Sequence, residues 1–317
     1  MMPLTTNYSP ILDLISSARL GSYKNTFHPK NEYELYGVYL WCQQVGASIY
    51  PLVQNLEITV RNAIDNAAKK RFGDYWWNNI KSRKPSYQTN FIKKIEEAKN
   101  KLQRDWIATE KKRLGLNPWQ SLPVTSITPL WSHDQIIAAT DFSAWHYILN
   151  KDFISPNSSQ NNLYLWPKSL NDAFKNYAII NSNQSQITKN MNDILFELRV
   201  YRNRLFHNEP LWVKAPNVVD ATTAISTIRV KINKIEKIIE AIDNRKIAML
   251  HKVGIFDTAR RVCSIENLRI YTYQGGTQLL TKKQSRTLRG VYSKCKMDNE
   301  TIVLEYAETL FFMHKFR

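Results

Sequence analysis

Residues 198–212, LRVYRNRLFHNEPLW, bring together side chains that handle protons and phosphates. Two arginines, an asparagine and a histidine lie between Arg202 and His207, and Pro210 follows three residues later. An imidazole exchanges protons near neutral pH, and a guanidinium holds a phosphate through two parallel hydrogen bonds. A general base beside a phosphate-binding cation, on a basic chain without a cluster of metal-ligand residues, indicates metal-independent RNA cleavage through the 2′-hydroxyl group.

Helix geometry decides whether these side chains can meet. Asn203 and His207 are four residues apart, so at about 100° per residue they project nearly together. Arg202 and His207 are five apart and diverge by roughly 140°, so Arg202 must reach sideways to share a ligand with the imidazole. Asn208 and Pro210 end the helix just beyond, which predicts that His207 lies at a helix end, open to a groove.

A purely structural role for the segment is the alternative. In that interpretation His207 caps or packs the helix, while the arginines pair with Glu197 or Glu209. The RNxxxH pattern is short, and taken alone it favours this structural interpretation. A catalytic role for this segment therefore needs support from other parts of the sequence.

Positive charge is concentrated in two segments of this 317-residue chain of formal net charge +17. Residues 69–113 hold 14 Lys and Arg against 5 Asp and Glu, and residues 251–317 hold 12 against 6. Such concentration is typical of a polyanion-binding protein, with a basic surface kept for solubility as the alternative. Aromatic residues interleave with the cations and would stack on bases. The residues predicted to contact RNA are Lys69, Lys70, Arg71, Trp76, Trp77, Lys93, Lys94, Lys101, Arg104, Lys111, Lys112, Arg113, Lys282, Lys283, Arg286 and Arg289.

The spacing of apolar residues predicts a mainly α-helical protein. Residues 33–73 have the pattern of a helix that is broken or bent near Gly46 and Pro51 and closed by Gly73. Six isoleucines between Ile225 and Ile242 alternate spacings of three and four. Such a seam packs against another helix, either in the core of a bundle, which is favoured, or in a second copy of the chain.

The C-terminal part has a different pattern. RIYTYQGGTQLL, residues 269–280, has two β-prone runs around a Gly-Gly pair and predicts a β-hairpin. Residues 301–306 predict a further strand, with a helix over the last 17 residues as the alternative. Neither a signal peptide nor a membrane span is expected, and the widely spaced Cys42, Cys263 and Cys295 favour a reducing cytoplasm. No metal or cofactor is expected.

RNRLFHNEPLW resembles the RN-x-x-x-H segment of the Abi-like (abortive infection) proteins, a branch of the HEPN ribonuclease superfamily. Residues 50–77, YPLVQNLEITVRNAIDNAAKKRFGDYWW, resemble the LE-x-x-x-RN helix of that family. Residues 141–149, DFSAWHYIL, resemble its phenylalanine–small–tryptophan block, and LWPKSL at 165–170 falls where the family often has a similar tryptophan. The four blocks occur in the family order and cover about residues 34–212.

The resemblance implies roles for individual residues. Arg202 and His207 would be the catalytic pair, and Asn203 would orient the histidine or the scissile phosphate. The supporting positions would be Glu57, Arg61, Asn62, Arg204 and Asn208, although a salt bridge between helices explains the first three equally well. Family members often carry a second histidine where this chain has Asn208. Many HEPN proteins act as homodimers with two motifs facing one groove, and the isoleucine seam offers one surface for a dimer.

We therefore expect a HEPN-like helical bundle over residues 1–250, with a basic helical insertion at about 78–114. A small basic extension, residues 251–317, would contain the β-hairpin. The expected function is an endoribonuclease effector of an abortive-infection (anti-phage) or toxin–antitoxin system. The first alternative is a non-catalytic or RNA-regulated protein that forms a stable complex with a specific structured non-coding RNA. An inactive HEPN scaffold is a further alternative.

Overall fold

The computed structural model describes residues 6–272, 274, 282–297, 302–306 and 309–313. The chain divides into two compact units, one ending at Tyr273 and one beginning at Gln274. The protein is mainly α-helical, as its apolar spacing predicts. The described residues form thirteen α-helices and two strands: α1 (Ser9–Asp13), α2 (Ser17–Phe27), α3 (Glu32–Phe72), α4 (Asn90–Arg113), α5 (His133–Ala139), α6 (Phe142–Tyr147), α7 (Leu170–Ala173), α8 (Ile187–Phe206), α9 (Ala221–Ile242), α10 (Asn244–Lys252), α11 (Ile255–Val262), α12 (Ile265–Thr272), α13 (Lys282–Met297), β1 (Ile302–Tyr306) and β2 (Thr309–Met313).

The 41-residue helix α3 is the centre of the first unit. The side chain of Asn31 caps its start by accepting a hydrogen bond from the Glu34 N–H at 3.0 Å. It ends where Gly73 takes a φ of 75°, a left-handed conformation that suits glycine. Of the break or bend expected near Gly46 and Pro51, the break is wrong, because α3 is continuous from Glu32 to Phe72 with Pro51 inside it.

Helices α2, α9, α11 and α12 pack on α3, as do the shorter α6 and α7 and the C-terminal part of α8. The stripe of Leu52, Leu56, Val60 and Ile64 is fully buried in this packing. Because α3 touches elements from both halves of the first unit, side chains distant in sequence meet along its length.

Helix α9 carries the isoleucine seam, and every one of its six isoleucines is buried within the chain. The bundle-core interpretation is therefore confirmed, and the seam is not a surface for a dimer. Glu197 of α8 forms ion pairs with Lys231 and Lys234 of α9, which fixes α8 beside this core helix.

Helix α4, the expected basic insertion, packs on α5 and α6 through Phe91, Ile95 and Ala98. His146 of α6 is buried and lies against Phe196 of α8, with ring centroids 5.3 Å apart. The basic helix is thus tied, through α6, to the helix that carries the RNxxxH segment.

In the second unit, β1 and β2 pair antiparallel, with Ile302 opposite Met313. The hairpin expected over residues 269–280 is wrong at its start, because 269–272 belong to α12. The buried Leu268 and the packing of α12 on α3 outweigh the β-propensity of Ile270 and Tyr271. Residues 275–280 lie outside the described residues. Across the described ranges, no helix combines the length and apolarity that crossing a membrane requires.

Candidate active site

The RNxxxH segment ends α8 in a helix-terminating turn. His207 is the last residue of the helical hydrogen-bonding pattern, with its N–H 3.0 Å from the Asn203 carbonyl oxygen. Asn208 then takes a φ of 51°. Its N–H donates to the Leu205 carbonyl at 3.3 Å, and the Glu209 N–H donates to the Arg204 carbonyl at 3.0 Å.

This hydrogen-bond pair is the Schellman motif, which requires a left-handed residue at the position that Asn208 occupies. Asparagine is among the few residues other than glycine that adopt this conformation readily. The chain therefore turns away directly after His207, and the imidazole of His207 is exposed at the end of α8. Asn208 has a structural role at the position where the resembling family often has a second histidine.

Arg202 reaches sideways across the end of α8. Its Nη1 donates to Oδ1 of Asn203 at 3.4 Å, and Asn203 is on the same helical face as His207. The guanidinium also lies over the ring of Phe206, 4.5 Å from the centroid, and its Nη2 is 3.8 Å from Oε2 of Glu57. Both polar distances are long, so the guanidinium keeps donors for a further ligand.

Glu57 belongs to α3, so its pairing with Arg202 joins α3 to the site on α8. This pairing is the salt bridge between helices that the sequence offered as one explanation for Glu57. Burial raises the pKa of Glu57, and the nearby Asp141 raises it further, while Arg202 and Arg61 lower it in part. The Nε of Arg61 donates to Oδ1 of Asn62 at 3.5 Å. The structural alternative holds for one of the two arginines, because Arg204 pairs with Glu209. Arg202 pairs with Glu57 and not with Glu197 or Glu209.

Asn62 belongs to a different surface. It lines a groove between α3 and the start of α10, together with Ile58, Lys175 and Lys246. Arg204 pairs with Glu209, Nε to Oε2 at 3.5 Å, and so closes the turn after α8. The structure therefore brings Glu57 and Arg202 together, and assigns Arg204 and Asn208 to the turn.

Trp76 and Trp77 do not stack on RNA bases, because both are buried, at 0% and 3% exposure. The Nε1 of Trp76 donates to Oδ1 of Asp65 at 2.7 Å, and the ring of Trp77 stacks on His133 at 4.9 Å. His133 also hydrogen-bonds Asp65 at 3.0 Å, so this cluster fixes the end of α3 on α5. The prediction of RNA contact is wrong for both tryptophans.

Three cations at the end of α3 have internal partners. The guanidinium of Arg71 donates to the carbonyl oxygens of residues 161, 162, 164 and 165 and to Ser169, so it holds that loop and not a phosphate. Lys69 pairs with Asp74 at 2.9 Å, and Lys70 pairs with Asp172 at 2.7 Å.

Helix α4 carries cations of two kinds. Its paired ones are Lys94 with Glu97 and Asp141, Lys99 with Glu96, Arg113 with Glu110, and Lys111 with the Pro118 carbonyl oxygen. Four others are exposed and have no ion pair within the described part of the chain: Lys93, Lys101, Arg104 and Lys112.

A groove of about 290 Å³ lies between α4 and the junction of α5 and α6, at Ala139 and Asp141. Lys94, Lys101 and Arg104 line it together with the carboxylates of Glu97 and Asp141. Asp141 also raises the pKa of Glu57 electrostatically.

The remaining predicted cations lie on α13 in the second unit. Lys282, Lys283, Arg286 and Arg289 are all exposed there. Three of them follow one another at spacings of three and four, from Lys282 to Arg286 to Arg289, and so share one face of the helix.

A cavity of about 480 Å³ lies between α3 and the end of α8 with the turn that follows it. Sequence reasoning missed it, and the only signal was a glycine inside a helix. A Cβ at the buried Gly46 would come within 3.2 Å of Leu205, so glycine permits the close approach of the two helices. The residues around its opening are Tyr39, Gln43, Ala47, Tyr50, Phe206, Asn208 and Glu209.

No protein-family model matches the chain, and neither the curated proteins nor the solved structures contain a match to it. Within the described residues, no three His, Cys, Asp or Glu side chains are grouped in a way that would hold a metal ion. The interpretation of the site thus depends on its own geometry and on the sequence resemblance to the Abi-like proteins.

Proposed function

We propose that this protein is an endoribonuclease that cleaves RNA at the C-terminal end of α8. His207 takes the proton of a ribose 2′-hydroxyl, and the resulting oxygen attacks the adjacent phosphorus while Arg202 binds the phosphate oxygens. The bond from phosphorus to the 5′-oxygen breaks, and that oxygen gains a proton from water. The products are a 2′,3′-cyclic phosphate and a free 5′-hydroxyl.

One observation carries the proposal: the exposed imidazole of His207 shares a helical face with Asn203, toward which Arg202 extends. The imidazole has no hydrogen bond or ion pair within the described residues, so no internal contact occupies it. A base buried among apolar side chains, or an arginine directed to the opposite face, would not permit this reaction. As the resemblance implies, the cellular role would be that of an effector in abortive infection or a toxin–antitoxin pair, acting as a homodimer.

The decisive experiment compares the wild-type protein with His207→Ala on a labelled single-stranded RNA. We expect the variant to lose cleavage by at least about a hundredfold, the usual contribution of a general base. Its melting temperature should not change, because the side chain is exposed and makes no hydrogen bond or ion pair within the described residues. The wild-type products should end in a cyclic phosphate.

His251→Ala is the matched control, since it removes another exposed histidine, on α10, outside the motif. It should cleave like the wild type. Equal cleavage by His207→Ala and wild type would refute the proposal.

The exposed cations of α4 favour a second candidate, a protein whose partner is a particular structured RNA. Lys93, Lys101, Arg104 and Lys112 offer a row of charges to a phosphate backbone whether or not cleavage occurs. A discrete RNA that copurifies with the protein and is not cut by it would support this candidate. A preparation free of nucleic acid that still cleaves added RNA would exclude it. A protein that neither cleaves nor binds RNA would be the inactive scaffold.

A further inference from the structure

The cavity beside the motif is positioned to receive a part of whatever His207 holds. Phe206 and Asn208, the residues on either side of His207, both line it. Its opposite wall is α3, at Tyr39, Gln43 and Tyr50. A ribose that presents its 2′-hydroxyl to His207 would therefore have its base within reach of this cavity.

The walls of the cavity suit a flat, uncharged ring. Tyr50 and Phe206 meet edge to face with centroids 5.2 Å apart, and both are partly exposed. Aromatic side chains of this kind stack on nucleobases. The volume, about 480 Å³, is within the usual range of small-molecule sites and exceeds what a single base needs.

The floor of the cavity carries no ionised group. Burial raises the pKa of the Cys42 thiol to about 11, so it is a neutral thiol at pH 7. Burial also raises the pKa of Tyr23 well above its ordinary value, which keeps this phenol neutral. Glu209 is the one ionisable carboxyl group among the lining residues, and a carboxylate does not favour a phosphate there. The cavity thus suits an uncharged nucleobase and not the negatively charged phosphate backbone of RNA.

The rim of the cavity carries polar side chains that can form hydrogen bonds with the edge of a base. The side-chain amides of Gln43 and Asn208 are exposed and make no hydrogen bond within the part of the chain that the structure describes. Glu209 is half-exposed, and its carboxylate only accepts hydrogen bonds. Guanine, adenine and cytosine can each donate to it from an exocyclic amino group, whereas uracil offers there only a ring N–H between two carbonyl oxygens that repel a carboxylate.

We infer that this cavity is a nucleobase pocket that selects an amino-bearing base, guanine, adenine or cytosine, beside the scissile phosphate. The statement that this pocket lies beside the reacting phosphate depends on the proposed RNA cleavage. The pocket would set the sequence preference of cleavage, since Arg202 and His207 contact only ribose and phosphate.

The test uses the four nucleoside 3′-monophosphates as probes, with binding followed by ligand-detected NMR, so that no cleavage is needed. Ala47→Phe places a ring into the cavity from an exposed position of α3, and Gln44→Phe places the same ring three residues away, outside the lining. We expect Ala47→Phe to weaken binding at least about tenfold, the effect of losing one stacked base. Gln44→Phe should bind like the wild type, and uridine 3′-monophosphate should bind most weakly of the four.

Gln43→Ala, a truncation at an exposed position, tests the same pocket should Ala47→Phe fail to fold. It should reduce the difference in affinity between the amino-bearing nucleotides and uridine monophosphate. Equal binding of all four probes to wild type and to both lining variants would overturn the inference. So would a wild-type dimer that Ala47→Phe dissociates without changing nucleotide binding, since the occupant would then be a second copy.

The outcome for the pocket and the outcome for the proposed function can be told apart. Nucleotide binding that Ala47→Phe abolishes, in a protein that cleaves no RNA, would retain the pocket and refute the nuclease. Cleavage whose base preference is the same in wild type, Ala47→Phe and Gln43→Ala would retain the nuclease and refute the pocket.

Discussion

The guanidinium of Arg202 bonds the side chain of its neighbour Asn203, with 3.4 Å between Nη1 and Oδ1. Asn203 shares a helical face with His207, four residues further along α8. A guanidinium can hold two phosphate oxygens at once, whereas an ammonium acts as a single point charge.

Arg202→Lys therefore should lower the rate of RNA cleavage by at least about tenfold although it keeps the charge, and Arg202→Gln should lower it by about a hundredfold or more. Single-turnover cleavage at saturating protein measures this effect separately from binding. Arg245→Lys, at an exposed arginine of α10, is the matched control and should not alter the rate. A full rate in Arg202→Lys would show that charge alone is enough at this position.

The basic groove along α4 should contribute through the phosphate backbone. Replacing Lys101 and Arg104 together by glutamine removes two exposed cations that line the groove. For single-stranded RNA, each lost phosphate contact reduces the slope of log K against log salt by about 0.7, so the double variant should lose roughly 1.4. Lys111→Gln is the control, because the Lys111 ammonium already bonds the Pro118 carbonyl oxygen at 2.6 Å. An unchanged slope in the double variant would place the RNA elsewhere.

Local patterns predicted the features that depend on local structure. The spacing of the isoleucines between Ile225 and Ile242 predicted a buried seam, and Asn208 with Pro210 predicted a helix end at His207. Both predictions follow from helix periodicity and from the backbone conformations that these residues adopt, so residues close together in the sequence are enough to make them.

Contacts between distant residues were not predictable in the same way. Trp76 is adjacent to a basic run and has the composition of a base-stacking site, yet Asp65 and Phe91 bury it. Arg71 was expected to meet phosphate, but the loop that takes up its donors lies about 90 residues further along the chain. A cation beside aromatic residues has the same pattern in sequence whether its partner is RNA or a distant loop of the same protein.

The carboxyl group of Glu57 should make the stability of the protein depend on pH. Burial raises its pKa above the unfolded value, so the folded state holds this proton more tightly than the unfolded state does. The stability that comes from the protonated form is complete below the unfolded pKa and is lost as the pH rises through the higher folded pKa.

Glu57→Gln should therefore raise the free energy of unfolding at pH 7 and have little effect at pH 4. Urea unfolding at both pH values measures the difference. Gln54→Glu, which adds a carboxylate at an exposed position of α3, is the control and should not show this pH-dependent difference. A loss of stability in Glu57→Gln at pH 7 would mean that the ion pair with Arg202 outweighs the cost of burial.

His146 should make the protein sensitive to acid. Burial and the nearby Arg199 lower the pKa of this imidazole from 6.5 to about 4, with Asp193 opposing them in part. Its Nδ1 is buried and has no hydrogen-bond partner within the described residues. Because the unfolded chain binds the proton more readily, the stability present above pH 6.5 is lost as the pH falls from there toward 4.

At 1.36 kcal/mol per pKa unit, this loss amounts to at most roughly 3 kcal/mol. His146→Phe should remove most of that loss, since a phenyl ring fits between Tyr147 and Phe196 and binds no proton. The measurement is the free energy of unfolding in urea at pH 7, 5.5 and 4. His207→Ala, at an exposed histidine, serves as the control and should retain the wild-type decline. If His146→Phe declines as steeply as the wild type, another buried group must be responsible for the acid sensitivity.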